Sequence, residues 1–320
     1  MIANDVAIRG GGVAACCCAH LLKTGIEAAD RPKLPAILVN DATQELMRDV
    51  FGRTDLFEGL PRIERRVVAW GAKAVELPHR AVVISEEELR ARLAPGTTTA
   101  AGAEWTVHAA SRPPGSGEQH FGTRQATAVS VTLRDDVPGC WVESVATGWL
   151  FLIPGWLLAV GGDTDELLAE SQLVAAQIAH REPAGPRFAA YPRIVDPLCG
   201  PRWLACGSAA LAFDPLCGDG TGYAVREGIL AAAVVRAALR GGDANALLEH
   251  YRRRTIAAFG RHLDLCREFY RTGGGGEWWR GELAAIGRGI AWCREELGEG
   301  SGFRYRLSGY DLVPVENAPA

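Results

Sequence analysis

Apolar and polar positions along the chain change period several times, and each change marks an element. Asp5-Val-Ala-Ile-Arg9 is a short strand, followed by a glycine turn and a helix from about Cys16 to Lys23, with Gly25 placed as its closing residue. After a charged, proline-bearing linker, Pro35–Asn40 is a second strand, and a helix is expected from Asp41 to about Gly52. Residues 55–70 look irregular, Val67–Gly71 and Ala81–Ile84 are strand-like, and Ser85-Glu-Glu-Glu88 opens a capped helix that Pro95-Gly96 ends. Arg112–Gly122 is polar and rich in Gly, Pro and Ser, a loop. Gln125–Leu133 and Cys140–Ser144 are strands, and Leu150–Val160 is two strands joined by Pro154-Gly155. The pattern then predicts a helix over Thr164–Ala179, a short strand at Trp203–Cys206 and an Ala-rich helix ending at Gly241-Gly242. Asn245–Glu268 is a long amphipathic helix, Gly273–Gly276 a break, and a last helix runs to about Leu297.

Strands alternate with helices first, hairpins fill the middle and helices finish the chain. The expected fold class is therefore α/β: a Rossmann-like layer with an inserted β-sheet layer and a helical C-terminal cap.

Composition narrows the function classes. The chain has 320 residues, 48% hydrophobic, with a formal net charge of −4, so it holds ample core. There is no apolar run long enough to span a membrane and no basic leader before the first strand, so a cytoplasmic location is expected. Without a basic tract, nucleic acid is not an expected partner. The nine cysteines, three of them adjacent at Cys16-Cys17-Cys18, include no CxxC pair and read as small buried hydrophobes in a reducing compartment. No metal is expected.

Two glycine-rich stretches carry the candidate chemistry. Gly10-x-Gly12-x-x-Ala15 sits between strand and helix, as a dinucleotide-binding turn does: the first glycine makes the tight turn, the second lets a pyrophosphate approach, and Ala15 lets the helix pack on the strand. At the end of the second strand, where an acid ordinarily holds the ribose, stands Asn40. The second stretch runs Gly207-Ser208-Ala-Ala210, then Asp214-Pro215-Leu-Cys-Gly218-Asp-Gly220-Thr221-Gly222, into the Ala-rich helix. A helix beginning there aims unpaired N–H groups and its positive dipole end at whatever lies in front.

Together with Trp70-Gly71, Phe121-Gly122-x-Arg124 and Gly148-Trp149-Leu-Phe-Leu-Ile-Pro154, these stretches resemble FAD-dependent monooxygenases of the p-hydroxybenzoate hydroxylase type. Within that group the resemblance is to the tryptophan halogenase-like branch, which includes flavoproteins that mature tryptophylquinone-containing oxidases. It implies FAD as cofactor. Gly10, Gly12, Val13, Ala14 and Ala15 would meet the pyrophosphate, Asn40 the adenosine ribose, and Ser208 and Asp214 the ribityl and phosphate region. Pro215, Gly218, Gly220, Thr221 and Gly222 would face the flavin ring, and Arg80 is a further candidate contact. It also implies FAD-binding segments 1–66, 86–125 and 196–242, substrate-layer segments 67–85 and 126–195, and a cap over 243–320.

The implied activity is monooxygenation of an aromatic ring, in a small molecule or a tryptophan of a protein or peptide, with NAD(P)H or a separate flavin reductase supplying electrons. Three departures weaken FAD contacts: Asn40, Ser208, and His108 in the segment His108–Arg112. Residues 34–72 hold no lysine, Lys73 lying just beyond Trp70, and a halogenase needs one to position hypohalous acid. A flavin-dependent reductase or dehydrogenase, and a degenerate flavoprotein acting as a binding or maturation partner, are the competing readings. Catalytic residues are not identified by pattern; His79, Arg80, His108 and Arg124 are the ionisable groups near the expected substrate layer.

Overall fold

The computed structural model describes residues 5–29, 33–98, 102–298 and 302–315. Its first half runs β1 (Val6–Arg9), α1 (Val13–Leu22), β2 (Ile37–Asn40), α2 (Asp41–Phe51), β3 (Arg62–Ala69), β4 (Val75–Ile84), α3 (Glu86–Leu93), β5 (Trp105–His108), β6 (Gly117–His120), β7 (Gln125–Leu133), β8 (Gly139–Val145), β9 (Gly148–Ile153) and β10 (Trp156–Gly161). The second runs α4 (Thr164–Glu170), β11 (Ile178–Arg181), β12 (Phe188–Ala189), β13 (Arg193–Asp196), β14 (Cys199–Gly200), β15 (Trp203–Ala205), β16 (Leu211–Ala212), α5 (Gly220–Leu239), α6 (Ala244–Gly273), α7 (Glu277–Leu297), β17 (Tyr305–Ser308) and β18 (Asp311–Pro314).

A small sheet of order β1-β5-β15-β14 is parallel except at β14. Its strands are short and mostly apolar, and their buried residues form one cluster with those of α1, α5 and α6. A nine-stranded sheet of order β11-β7-β10-β9-β8-β3-β4-β2, with β12 added on β7, forms the second layer. Helices α6 and α7 pack against each other and, through Phe259, Leu263, Tyr270, Trp279 and Ile286, build the largest core cluster with Trp149 and Ile194.

The predicted second strand, Pro35–Asn40, is not the neighbour of the first: β2 pairs antiparallel with β4, Asn40 opposite Ala81. The segment that runs parallel to β1 is Ile26–Glu27, held by Gly10 N to Glu27 O (2.9 Å) and Glu27 N to Ile8 O (2.8 Å). Gly25 is not the helix stop either. Lys23 takes the left-handed cap position (φ 56°), while a Cβ on Gly25 would lie 2.8 Å from the Thr97 carbonyl carbon. Elsewhere β3 starts at Arg62, inside the stretch expected to be irregular, and β6 falls within the expected 112–122 loop. The helix expected over Thr164–Ala179 stops at Glu170: Glu143 captures the N–H groups of Gln172, Leu173 and Val174, so the backbone turns away from the helix axis. The chain also carries a hairpin, β17–β18, after its last helix.

Helices α1 and α5 cross through small residues. At Gly228 an added Cβ would stand 2.7 Å from Ala14 O and 2.8 Å from Cys17 Cβ. The three adjacent cysteines serve this packing, Cys17 and Cys18 being fully buried. Gly228→Ala is expected to lower stability by about 1–3 kcal/mol, because backbone cannot move aside as a side chain can. A thermal melt that matched the wild type would show the crossing to be looser than described.

Candidate dinucleotide crevice

The carboxyl ends of β1, β5 and β15 meet at one edge of the small sheet, where an open α/β sheet places its ligand crevice. Three turns interlock there. Gly10 has φ +154° and a Cβ on it would lie 3.0 Å from Ala109; Gly207 has φ +56° and would put its Cβ 2.8 Å from that of Ala14. Both must be glycine for the turns to nest. Gly12 is the N-cap of α1, Val13 is half-buried in the first turn, and Ala14 and Ala15 are buried against the sheet.

Capping separates the helices into two kinds. Asn40, Ser85, Asp163 and Asp243 each accept a backbone N–H at the start of α2, α3, α4 and α6. Helix α7 has no capping side chain but carries Glu277 in its first turn. Helices α1 and α5 have neither a capping side chain nor a first-turn acid. Their N-terminal N–H groups and positive dipole ends are left for something else to satisfy.

Ahead of α5, Asp214 accepts the Leu216 N–H (2.9 Å) and starts a 3₁₀ turn, Pro215–Cys217, which Gly218 closes at φ +65°. Asp219 occupies the N-cap position of α5 but its carboxylate is spent, accepting from Thr43 Oγ1 (2.9 Å) and Arg226 Nη1 (2.8 Å). Gly220 is exposed and a Cβ on it would meet nothing within 4 Å; Thr221 is half-buried. Gly222 is buried, and a Cβ there would run into Thr43 Oγ1 at 2.6 Å.

The structure thus nests the Gly10 and Gly207 turns together and sets Gly218 and Gly222 beside Arg66 and Thr43, but not all the expected polar groups are free to meet a ligand. Asn40 reaches the α5 end only through Thr43 and Asp219, and its side-chain oxygen is consumed by the Thr43 N–H (2.9 Å). Because β2 is not β1's neighbour, Asn40 does not stand at the strand end where a ribose ligand was expected. Ser208 is exposed and its hydroxyl turns to Ala109 O (3.4 Å). His108 is buried, edge-on to Trp203, its pKa lowered by burial and by Arg9, so it is neutral. Arg80 is exposed on β4.

Behind the crevice lies a buried ionic network that the sequence pattern does not announce. Arg124, 1% exposed, reaches Asp214 Oδ2 through Nε (2.8 Å) and Nη2 (2.7 Å), and Glu282 through Nη1. Tyr270 donates to Asp214 Oδ2 (2.9 Å) and receives Trp149 Nε1 (3.1 Å), and Thr123 N and Oγ1 both donate to Glu282 Oε1 (3.0 Å). Burial alone would disfavour the Arg124 cation; Tyr270, Asp214 and Glu282 more than compensate, raising its pKa further.

Two other cations were invisible to sequence reasoning because only the tertiary fold brings them in. Arg90 of α3 places its guanidinium 3.4 Å from where a Gly11 Cβ would be, over the first glycine turn. Arg66 of β3 sits 3.6 Å from the corresponding point on Gly218, and its Nη2 shares a hydrogen bond with His79 Nε2 (3.2 Å). Burial and the neighbouring Arg66 push His79 down to about 4, so it is neutral and accepts from Arg66. The Arg66 Nε is buried without a partner.

Glu227 of α5 is buried and accepts the Gly207 N–H (2.6 Å), fixing that turn. Burial raises its carboxyl from 4.5 to about 8 against the pull of that hydrogen bond. The folded chain then keeps a proton that the unfolded chain has lost, so stability falls as pH rises from about 4.5 to about 8 and is flat outside that window. Glu227→Gln, which keeps an acceptor for Gly207, should relieve on the order of 3 kcal/mol at pH 7 and nothing at pH 4.5. Parallel melting curves for the two proteins across that range would contradict the assignment.

A separate cavity of about 660 Å³ opens beside Gly71, Lys73, Glu143, Ser144 and Gly273; none of its lining residues belongs to the crevice. Among the described residues, no helix is long and apolar enough to cross a membrane.

The parallel sheet, the two glycine turns at its carboxyl edge and the large second sheet define the fold shared by flavin-dependent monooxygenases and flavin-dependent halogenases. No protein-family model matches the sequence, and no curated protein sequence does. Among solved structures, the chain is similar to QhpG, described as a peptidyl tryptophan dihydroxylase essential for tryptophylquinone cofactor biogenesis (TM-score 0.76, 17% identity, 97% of this chain and 86% of that one). It is similar also to CmlS, a flavin-dependent halogenase (0.70, 15% identity, 90% and 70%). A third is p-nitrophenol 4-monooxygenase PnpA from Pseudomonas putida DLL-E4 (0.61, 11% identity, 92% and 97%).

Proposed function

We propose that the chain is an FAD-dependent oxidoreductase that hydroxylates an aromatic substrate, with a tryptophan side chain of a protein or peptide partner as the favoured target. The observation that carries the cofactor assignment is that helices α1 and α5 both begin with neither a capping side chain nor a first-turn acid, while the Gly207 turn ahead of α5 nests against α1 at Ala14. A dinucleotide satisfies both at once. Gly10, Gly12 and the N–H groups of Val13, Ala14 and Ala15 hold the diphosphate, and Arg90 adds a positive charge there. Backbone from Asp214 and Pro215 through Gly218, Gly220, Thr221 and Gly222 receives the flavin ring, at a helix end suited to negative charge.

Bound FAD supplies the electron-transfer and oxygen-activating chemistry that amino-acid side chains lack. The residues do the rest. Arg124 and Tyr270 hold the Asp214 carboxylate rigid, and with it the turn before α5. Arg66 and neutral His79 stand opposite Gly218, where the guanidinium Nη2 and the imidazole can orient a polar edge of the substrate. No lysine occurs on β2, β3 or β4, which argues for hydroxylation over halogenation. The tryptophan target rests on the likeness to QhpG over nearly the whole chain. Electrons come from NAD(P)H or from a separate flavin reductase.

The test supplies reduced FAD and oxygen to the protein with a tryptophan-containing peptide. Added oxygen on the indole, detected by mass, supports the reading; turnover only in the absence of oxygen supports a reductase instead. Arg90→Ala should weaken FAD binding about tenfold, the loss of one charge-assisted contact. Unchanged affinity would remove Arg90 from the site.

A further inference from the structure

On α6 the i,i+4 spacing sets His262 and Cys266 on one face, and the turn before α5 brings Cys217 against them. Cys217 Sγ lies 3.7 Å from Cys266 Sγ, and Cys266 Sγ lies 3.2 Å from His262 Nε2. Cys266 and His262 are fully buried, while Cys217 is half-buried. We propose that Cys217 and Cys266 form a reversible redox pair, oxidised by hydrogen peroxide to a disulfide that ties the turn before α5 to α6.

The two sulfurs have different roles. The hydrogen bond shared by the two sulfurs works against the cost of burial and lowers the Cys217 thiol, whereas burial raises Cys266 well above its ordinary range. Cys217 is thus the thiolate nucleophile. Burial raises the thiols of Cys17, Cys18, Cys140, Cys199, Cys206 and Cys293, which leaves them unreactive by comparison. In the first step the Cys217 thiolate attacks the peroxide O–O bond, forming a sulfenic acid; hydroxide leaves and is protonated to water. In the second, the Cys266 sulfur attacks Cys217 sulfur, the S–O bond breaks, and the thiol's proton leaves with hydroxide as a second water. The two sulfurs give up two electrons, and the peroxide takes them.

The same three side chains have the donor types of a metal site. His262 Nε2, however, faces the sulfurs with its lone pair already given to the Asp214 N–H (2.8 Å), so an ion would have to break the bond that anchors the turn. A disulfide needs no such break. On the flavin reading, oxygen reduction takes place beside this turn, so escaping peroxide arises next to Cys217. The redox pair itself does not depend on that reading.

The experiment therefore uses flavin-free protein and added hydrogen peroxide. Native protein is oxidised, unfolded in an alkylating agent, and its thiols counted. The nine thiols should fall by two, the intact mass should drop by about 2 Da, and a linked Cys217–Cys266 peptide pair should appear and vanish with reductant. Cys266→Ser should instead accumulate a Cys217 sulfenic acid that a 1,3-diketone captures, and Cys217→Ser should show no oxidation at Cys266. If Cys266→Ser fails to fold, the linked peptide and Cys217→Ser decide. Nine thiols surviving, a disulfide between other cysteines, or a stoichiometric metal lost in Cys217→Ser would overturn the proposal.

Discussion

Replacing Arg124 with methionine is expected to lower stability by roughly 3–5 kcal/mol, the cost of leaving buried charges without their partner. The side chain is 1% exposed and lies between Asp214 and Glu282, which belong to different layers: Asp214 precedes α5, and Glu282 is on α7. Removing it leaves two carboxylates facing each other across its former site, with Tyr270, Leu216 N and Thr123 as the remaining donors. The triple variant Arg124→Met, Asp214→Asn, Glu282→Gln should recover much of the loss, because no unpaired charge then remains buried. Thermal melts of the single and triple variants check both statements. A single variant within 1 kcal/mol of wild type would mean that the network is open to water.

The second large effect concerns the α1 end of the crevice. Gly12→Asp should weaken FAD binding at least about 100-fold, since a carboxylate near a phosphate in a partly screened site costs several kcal/mol. Gly12 has an extended backbone (φ −83°, ψ 179°) that any residue adopts, and aspartate is a good helix cap. Gly12 is buried, so a thermal melt of the unliganded variant is run beside the binding measurement: a variant that stays folded but loses the ligand marks a helix end kept open for an anion. Equal FAD affinity in the two proteins would show that the α1 terminus does not meet the diphosphate.

Local chemistry was legible in the sequence; long-range pairing was not. The glycine turns, the Ser85 cap, the β9–β10 hairpin and the buried cysteine triplet follow from backbone and packing rules acting over a few residues. Pro35–Asn40 was legible as a strand but not as a neighbour of β4, because its alternation is the same whichever sheet it joins. The true neighbour of β1, Ile26–Glu27, is too short to carry a pattern. Glu143 ended a helix-like stretch from 27 residues upstream of its end at Glu170, a contact no local window contains. At the site, Gly10 and Gly218 declared themselves by type, whereas Arg66, Arg90 and the Cys217–Cys266 pair acquire their places only when β3, α3 and α6 fold against the turns.

Asn40, Ser208 and His108 each spend their polarity within the protein or are held neutral. Backbone N–H groups and Arg90 are left to carry most of the cofactor's binding. The most direct test of this account is the visible absorption spectrum of the purified protein, taken before and after incubation with FAD and gel filtration. Flavin bands that stay with the protein are the predicted result. A protein that remains colourless after incubation would contradict it, and would leave a binding or maturation role on a flavoprotein fold that has lost its cofactor.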